Sequence, residues 1–170
     1  WVSRPSVNAL RTQYLSLPPH TRRSFQKALA QVPIVYGFSS HVVPPAPEWD
    51  GFMRVTGYWF LDEPNEWQPP AGLQHFMDAG DKPVYIGFGS MPDANPETTF
   101  KLITDALALA ELRGVIGGGW AGLKGSASNS VYLLDYAPHS WLFERMAVNV
   151  HHGGAGTTAA ALRAGVPSLV

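Results

Sequence analysis

The sequence contains no cysteine, and neither sign of charge dominates it. Without cysteine there is no disulfide framework, no thiolate metal site and no cysteine nucleophile. Twelve lysines and arginines against thirteen aspartates and glutamates leave a formal charge of −1, so the basic excess of a protein that binds nucleic-acid polymers is missing. We therefore expect no nucleic-acid partner. The lack of cysteine is compatible with a cytoplasmic location, which we take as the prediction.

Long apolar runs are also missing. None approaches the roughly 20 residues that span a bilayer, so we expect no transmembrane segment, although a peripheral membrane contact stays open. The first residues, WVSRPSVNALR, lack a signal-peptide core and an initiator methionine. The last residues, PSLV, resemble the start of a buried strand. We expect the chain to be a fragment of a longer protein, cut at both ends.

Short apolar runs alternate with helical patterns after residue 80. The runs predict strands at 83–88, 113–116, 131–134 and 147–150, and the patterns predict helices after Asn95 and over 156–164. Such alternation is typical of an α/β fold with a Rossmann-like parallel sheet. Earlier in the chain we predict a helix at 22–31, a strand at 33–38 and an extended proline-rich segment at 41–70.

Two glycine-rich stretches follow predicted strands, where ligands bind in open parallel sheets. The first is GFGSM, which places Gly89 and Ser90 after the strand at 83–88. Glycine lets the backbone approach a ligand closely, and a serine hydroxyl can donate to a phosphate oxygen. A plain strand-to-loop turn is the alternative interpretation.

The second stretch, HHGGAGTT at 151–158, lies between a predicted strand and a predicted helix. The first N–H groups of a helix have no intrahelical partner, and the helix dipole favours an anion there. The candidate donors to a diphosphate are His152, Gly153, Gly154, Gly156 and Thr157. The alternative is a glycine-rich turn beside a buried, hydrogen-bonded histidine.

Other kinds of site fit the sequence less well. His151 and His152 should point to opposite faces of a strand and cannot easily chelate one ion, and no HExxH pattern accompanies them. We therefore expect no metal and no cofactor, with His151 as a packing residue. The stretch GGGWAG at 117–122 satisfies GxGxxG, but a loop-like segment follows it instead of a helix. A dinucleotide-binding oxidoreductase is thus the less favoured alternative.

A loop with an aromatic residue follows the predicted strand at 131–134. It contains Tyr136, Ala137 and Pro138, and it could offer an aromatic face and backbone groups to a nucleobase. An aromatic side chain that is simply packed is the alternative.

Three motifs, taken in their order and spacing, resemble a known family. GFGSM, YAPHSWLF and HHGGAGTTAAALRAGVPSLV are similar to the C-terminal half of the GT-B UDP-sugar glycosyltransferases. The resemblance is closest to the sterol 3-β-glucosyltransferase-like branch, which neighbours the antibiotic glycosyltransferases. VTGYWFLD at 55–62 and NALRTQYLSLPP at 8–19 extend the resemblance over nearly the whole chain.

The resemblance implies three segments in the chain. Residues 1–45 would end an N-terminal acceptor domain, 46–80 would form the interdomain linker, and 81–170 would form an incomplete C-terminal domain that binds a nucleotide sugar. The implied reaction transfers a hexosyl group with inversion from a UDP-sugar, expected to be UDP-glucose, to a hydroxyl of a lipophilic acceptor. A sterol or another natural product would be such an acceptor.

The resemblance also implies roles for individual residues. His152 stands where the family has its diphosphate-binding histidine, and Gly154, Gly156 and Thr157 fall on the phosphate-binding turn. Ser90 falls on the loop after the first strand of the domain, and Tyr136, Ala137 and Pro138 fall on the loop that holds the uracil ring.

The chain departs from the family pattern in what it lacks. Ala160 stands where plant members carry a ribose-binding glutamate. The family's sugar-binding Asp-Gln pair is expected beyond Val170 and its catalytic histidine before Trp1, so we expect no catalytic residue in this chain. The isolated chain is accordingly expected to be inactive, either as part of a donor site or as an inert nucleotide-binding fragment.

Overall fold

The computed structural model describes residues 3–49, 51–61, 67–89, 94–118 and 128–170. The chain divides into two compact units, Trp1–Trp59 and Phe60–Val170. Strands within each unit pair in parallel. The predicted α/β class with a parallel sheet is therefore confirmed.

The first unit contains two helices and a pair of short strands. Helix α1 spans Ser3–Gln13 and α2 spans Arg22–Leu29. The Thr21 hydroxyl accepts a hydrogen bond from the Ser24 N–H at 3.2 Å, which satisfies one of the orphan donors at the start of α2. Strand β1, Ile34–Tyr36, pairs with β2, Met53–Val55. The predicted helix and strand of this region are confirmed with slightly shorter bounds.

The second unit is built on a sheet whose strands are joined by helices. The helices are α3 Ala71–Asp78, α4 Pro96–Leu109, α5 His139–Leu142 and α6 Ala155–Ala164, with a 3₁₀ turn at Phe143–Arg145. The strands are β3 Val84–Gly87, β4 Gly114–Gly117, β5 Val131–Leu134, β6 Val148–His151 and β7 Ser168–Leu169. Their order across the sheet is β5-β4-β3-β6-β7.

Apolar side chains cover both faces of this sheet, as the continuous apolar runs predict. On one face Ile86 and Ile116 pack with Ile103 and Leu107 of α4. On the other face the core contains Leu73, Phe76, Tyr85, Val115, Leu134, Leu142, Phe143, Met146 and Ala161. Since each layer fills one face, the sheet is held rigid, and its strand ends are fixed relative to each other.

Helix α3 lies in the segment that the sequence assigned to the linker. Its Leu73 and Phe76 are buried in the core of the second unit. Arg113 donates to the carbonyl oxygens of Asp81, at 2.8 Å, and of Phe76, and its guanidinium lies 4.2 Å from the centre of the Phe76 ring. Residues 71–78 are thus part of the folded second unit, while the domain boundaries at 45 and 80 stay predictions.

Candidate functional site

The order of the strands reverses between β3 and β6. From β3 the chain proceeds through β4 to β5 on one side, and then returns to β6 and β7 on the other side. Gly87 and His151 are paired in register at the carboxyl ends of these two strands. In open parallel sheets the crevice outside such a reversal is where ligands bind. The two predicted glycine-rich stretches both begin at this point.

The imidazole of His152 lies between two glycines, one from each stretch. A Cβ placed on Gly89 would be 2.6 Å from His152 Cε1, and one placed on Gly154 would be 2.6 Å from His152 Nε2. Gly89 also has a φ of +61°, in the left-handed region that favours glycine. The structure therefore brings together Gly89, His152 and Gly154, which the sequence predicted to share one site.

His152 is half-buried, and its Nδ1 is buried without a hydrogen-bond partner among the residues described by the structure. Leaving a buried polar atom unpaired costs about 1–3 kcal/mol. A group of this kind beside the strand-order reversal is a candidate for binding a ligand, because native structures pair the great majority of buried polar atoms.

The N-terminus of α6 follows His152 directly. Gly154 precedes the helix, and its carbonyl oxygen accepts the N–H of Thr158 at 2.8 Å. Within the described ranges, the N–H groups of Ala155, Gly156 and Thr157 have no recorded backbone acceptor. Gly156 is exposed and Thr157 is half-buried. This end of α6 therefore presents several N–H groups and the positive end of the helix dipole beside His152.

His151 is buried, as expected of the packing residue that the sequence predicted, with 3% of its surface exposed, but its ring also makes a hydrogen bond that was not predicted. Its Nδ1 accepts a hydrogen bond from the N–H of Gly153 at 3.1 Å. Gly153 has a φ of +79°. Because this N–H is already engaged, the predicted contribution of Gly153 to a diphosphate site is limited to the shape of its backbone.

The environment of His151 favours its neutral form. Burial, and secondly the charge of the adjacent His152, lower the pKa of His151 below its ordinary value. A neutral imidazole that accepts at Nδ1 carries its proton on Nε2. The Nε2 atom is buried and has no partner in the part of the chain that the structure describes.

Asn149 and Tyr85 lie on the same face of the sheet as His151, by the register of β3 and β6. Asn149 lies two residues earlier on β6 and is fully buried, and its side-chain oxygen and nitrogen have no partners among the described residues. The Tyr85 hydroxyl lies over Gly87, where a Cβ would be 2.2 Å away. Burial raises the pKa of Tyr85 above 10.0, so its hydroxyl stays protonated near neutral pH.

The structure does not bring the other predicted site residues to this point. Ser90 is outside the described residues, as are residues 119–122 of the GGGWAG stretch. Tyr136, Ala137 and Pro138 follow β5, three strands from β6, or roughly 14 Å at the usual spacing between strands. Tyr136 is 60% exposed, whereas Ala137 and Pro138 are buried. An extended ligand such as a nucleoside diphosphate would be needed to reach both places.

A cavity of about 200 Å³ lies beside α5 and α6. Ala160 lines it, together with His139, Glu144 and Arg163. The Arg163 guanidinium lies 4.6 Å from the centre of the Phe60 ring, which also lines the cavity. Ala160 therefore borders open space on one side while it also packs against the core of the second unit.

Sequence reasoning missed the hydrogen-bonding part of His151 and the buried amide of Asn149. A signal for both was present, because NVHH places two polar side chains on one face of a strand that is covered on both faces. In the described ranges no cluster of three side chains could hold a metal ion, and no helix is long and apolar enough to cross a membrane.

Comparison with solved structures defines the class of fold. The crystal structure of the glycotransferase of kitacinnamycin aligns with 99% of this chain and 43% of its own, with a TM-score of 0.64 and 18% sequence identity. The chain therefore has the fold of GT-B glycosyltransferases, as the resemblance predicted. No protein-family model matches the chain.

Comparison with curated proteins identifies the branch. The chain is 44% identical over 170 residues to sterol 3-beta-glucosyltransferase UGT80A2 of Arabidopsis thaliana, and 98% of the chain is aligned. It is 40% identical over 177 residues to the sterol 3-beta-glucosyltransferase of Leptosphaeria maculans, with 96% aligned. The chain is thus a homologue of one segment of the sterol 3-beta-glucosyltransferases, and the predicted resemblance is confirmed. It spans 27% of the length of the plant relative and 12% of the fungal one.

Proposed function

We propose that this chain carries the diphosphate-binding part of the donor site of a sterol glucosyltransferase, and that the donor is UDP-glucose. The observation that supports this most directly is the position of His152. Its imidazole lies between Gly89 and Gly154 at the strand-order reversal, next to the open N-terminus of α6. This arrangement offers an anion both hydrogen-bond donors and a helix dipole.

In the proposed reaction, the acceptor hydroxyl gives its proton to a base as its oxygen attacks the anomeric carbon of the glucose with inversion, and the bond from that carbon to UDP breaks so that UDP leaves. Negative charge develops on the diphosphate as its bond to the sugar breaks. The backbone N–H groups of Gly156 and Thr157 and an imidazole N–H of His152 would stabilise this charge, and fixed donors of this kind are most effective in a site with little water. Because the charge is met by the helix end and by histidine, this part of the site needs no metal ion.

The remaining parts of the proposal rest on the relatives. The sterol acceptor is proposed because the similar proteins are named for it. Tyr136, Ala137 and Pro138 would hold the uracil ring, and the cytoplasmic location stays a prediction. Since no candidate base has been assigned among these residues, the isolated chain should bind UDP without transferring sugar.

Calorimetric titration of the folded chain with UDP tests this proposal. We expect UDP to bind more tightly than uridine, because uridine lacks the diphosphate. His152→Ala should weaken UDP binding about tenfold or more, since a hydrogen bond to a charged group contributes about 1.5–3 kcal/mol. His75→Ala, which removes an exposed histidine from α3, is the matched control and should bind like the wild type.

Two results would count against the proposal. One is the absence of binding at millimolar UDP by a chain shown to be folded. The other is binding of NADH without binding of UDP, which would favour a dinucleotide-binding oxidoreductase that uses the glycines at 117–122.

A further inference from the structure

The turn between β6 and α6 depends on a hydrogen bond that does not involve the proposed ligand. The Gly153 N–H points back to His151 Nδ1, at 3.1 Å. Gly153 connects His152 to Gly154, which precedes the helix. The direction of its peptide group therefore sets where the His152 ring and the first N–H groups of α6 are placed.

Gly153 adopts a conformation that needs support. Its φ of +79° is open to glycine, but glycine also has more alternative conformations than any other residue. Its neighbours Gly154 and Gly156 add to this freedom. Holding one backbone conformation in such a sequence requires a contact that other conformations cannot make, and the hydrogen bond to His151 is such a contact.

His151 is itself held rigidly enough to act in this way. Only 3% of the His151 surface is exposed, and the backbone of His151 is paired in register with Gly87 of β3. The Tyr85 hydroxyl lies over Gly87 on this face of the sheet. A ring fixed by a strand and by core packing can orient the flexible turn that follows it.

We propose that His151 is a positioning residue for the diphosphate site: by accepting the Gly153 N–H, it fixes the turn that places His152 and the start of α6. This inference rests on the proposed function for its effect on the donor, while the fixing of the turn does not depend on a ligand. His151 itself does not contact the diphosphate. It acts through Gly153.

Two substitutions separate the hydrogen bond from the volume of the ring. His151→Leu fills the buried space but cannot accept a hydrogen bond. His151→Asn places its Oδ1 close to the position of the histidine Nδ1, so it can still accept the Gly153 N–H. Urea unfolding of each variant establishes that it is folded before the other measurements are made.

The first readout needs no ligand. Amide hydrogen exchange followed by NMR should show the Gly153 N–H protected in the wild type and in His151→Asn, and exchanging at least about tenfold faster in His151→Leu. Nitrogen-15 spectra of the wild-type imidazole should show the His151 proton on Nε2. Equal exchange of Gly153 in the wild type and in His151→Leu would overturn the inference.

The second readout is UDP affinity measured by calorimetry. His151→Leu should bind UDP about tenfold more weakly than the wild type, and His151→Asn should stay within about threefold of it. Equal losses in the two variants, or no loss in His151→Leu, would overturn the inference. If the wild type fails to bind UDP while the exchange pattern is as expected, the proposed function is wrong and the turn-fixing hydrogen bond still stands.

Discussion

The ring of His152 occupies the space that a side chain on Gly89 would need. A Cβ on Gly89 would be 2.6 Å from His152 Cε1, closer than carbon atoms approach without displacement. Two segments far apart in the sequence thus meet at the ends of β3 and β6, and glycine at position 89 lets the histidine stand there.

Gly89→Ala should therefore displace His152. The substitution also puts alanine at a φ of +61°, which costs about 1–2 kcal/mol. We expect lower stability and UDP affinity reduced about tenfold, measured by urea unfolding and calorimetry. Gly51→Ala is the matched control, because a Cβ there meets nothing within 4 Å. Unchanged UDP affinity in Gly89→Ala would show that the contact with His152 has no part in binding.

Gly156→Ala separates the stability of the chain from the binding of a ligand. A Cβ on Gly156 meets nothing within 4 Å, and alanine is favoured over glycine in a helix by roughly 0.5–1 kcal/mol. The free chain should be slightly more stable. If a phosphate group lies against this turn, the added methyl group should lower UDP affinity at least about threefold. A variant that is more stable and binds UDP as tightly as the wild type would place the phosphate elsewhere.

The stability of the chain should depend on pH through His151. Burial and the neighbouring His152 lower the pKa of His151 in the folded state, whereas in the unfolded state it has its ordinary value of 6.5. The unfolded state then binds more protons below that pH. The contribution of His151 to the free energy of unfolding is therefore fully present above about pH 6.5. It declines as the pH falls from there towards the lowered pKa of His151 in the folded state.

Urea unfolding between pH 5 and pH 8 measures this dependence. His151→Asn should show a smaller loss of stability on acidification, and the exposed-site control His75→Asn should follow the wild type. The titratable group that acts on His151 is the adjacent His152. On the neighbouring strand, Tyr85 lies two residues before Gly87, the register partner of His151, and the Tyr85 ring centre is 6.3 Å from that of His139. Tyr85 does not titrate in this range. Identical slopes in the wild type and His151→Asn would rule out His151 as the source.

The core of the second unit gives a prediction that is independent of function. Ile116 is fully buried, so Ile116→Val should lower the free energy of unfolding by about 0.5–1.5 kcal/mol. Leu102 on α4 is 68% exposed, and Leu102→Ala should change the free energy of unfolding by no more than about 0.5 kcal/mol. Equal effects in urea unfolding would contradict the assigned burial.

The strands of the second unit were predictable because each is a short apolar run buried on both faces. The runs at 83–88 and 131–134 match β3 and β5 closely. Helix α3 was not predicted, since Pro69 and Pro70 make the segment resemble an extended linker. Pro70 in fact directly precedes the helix, and the spacing of Leu73 and Phe76 by three residues was an available signal.

The site was predictable in its residues but not in its contacts. Glycine composition and strand position indicated Gly89, His152 and Gly154 as candidates at two strand ends, and the family resemblance placed them in one donor site. The hydrogen bond between His151 and Gly153 was not predictable, because strand alternation places the His151 ring on a face but does not give the direction of the next peptide groups. That direction is set by the turn itself, where glycine leaves several conformations open.

The most direct test of the account is NMR titration of the nitrogen-15-labelled chain with UDP. If the N-terminus of α6 binds the diphosphate, the largest amide shifts should lie at residues 152–157 and at Gly89, with smaller shifts at Tyr136 and Ala137. Uridine, which lacks the diphosphate, should shift residues 152–157 and Gly89 much less than UDP does, while Tyr136 and Ala137 should still respond to its uracil ring. Shifts centred on residues 117–122, or no shifts in a folded chain at millimolar UDP, would contradict the account.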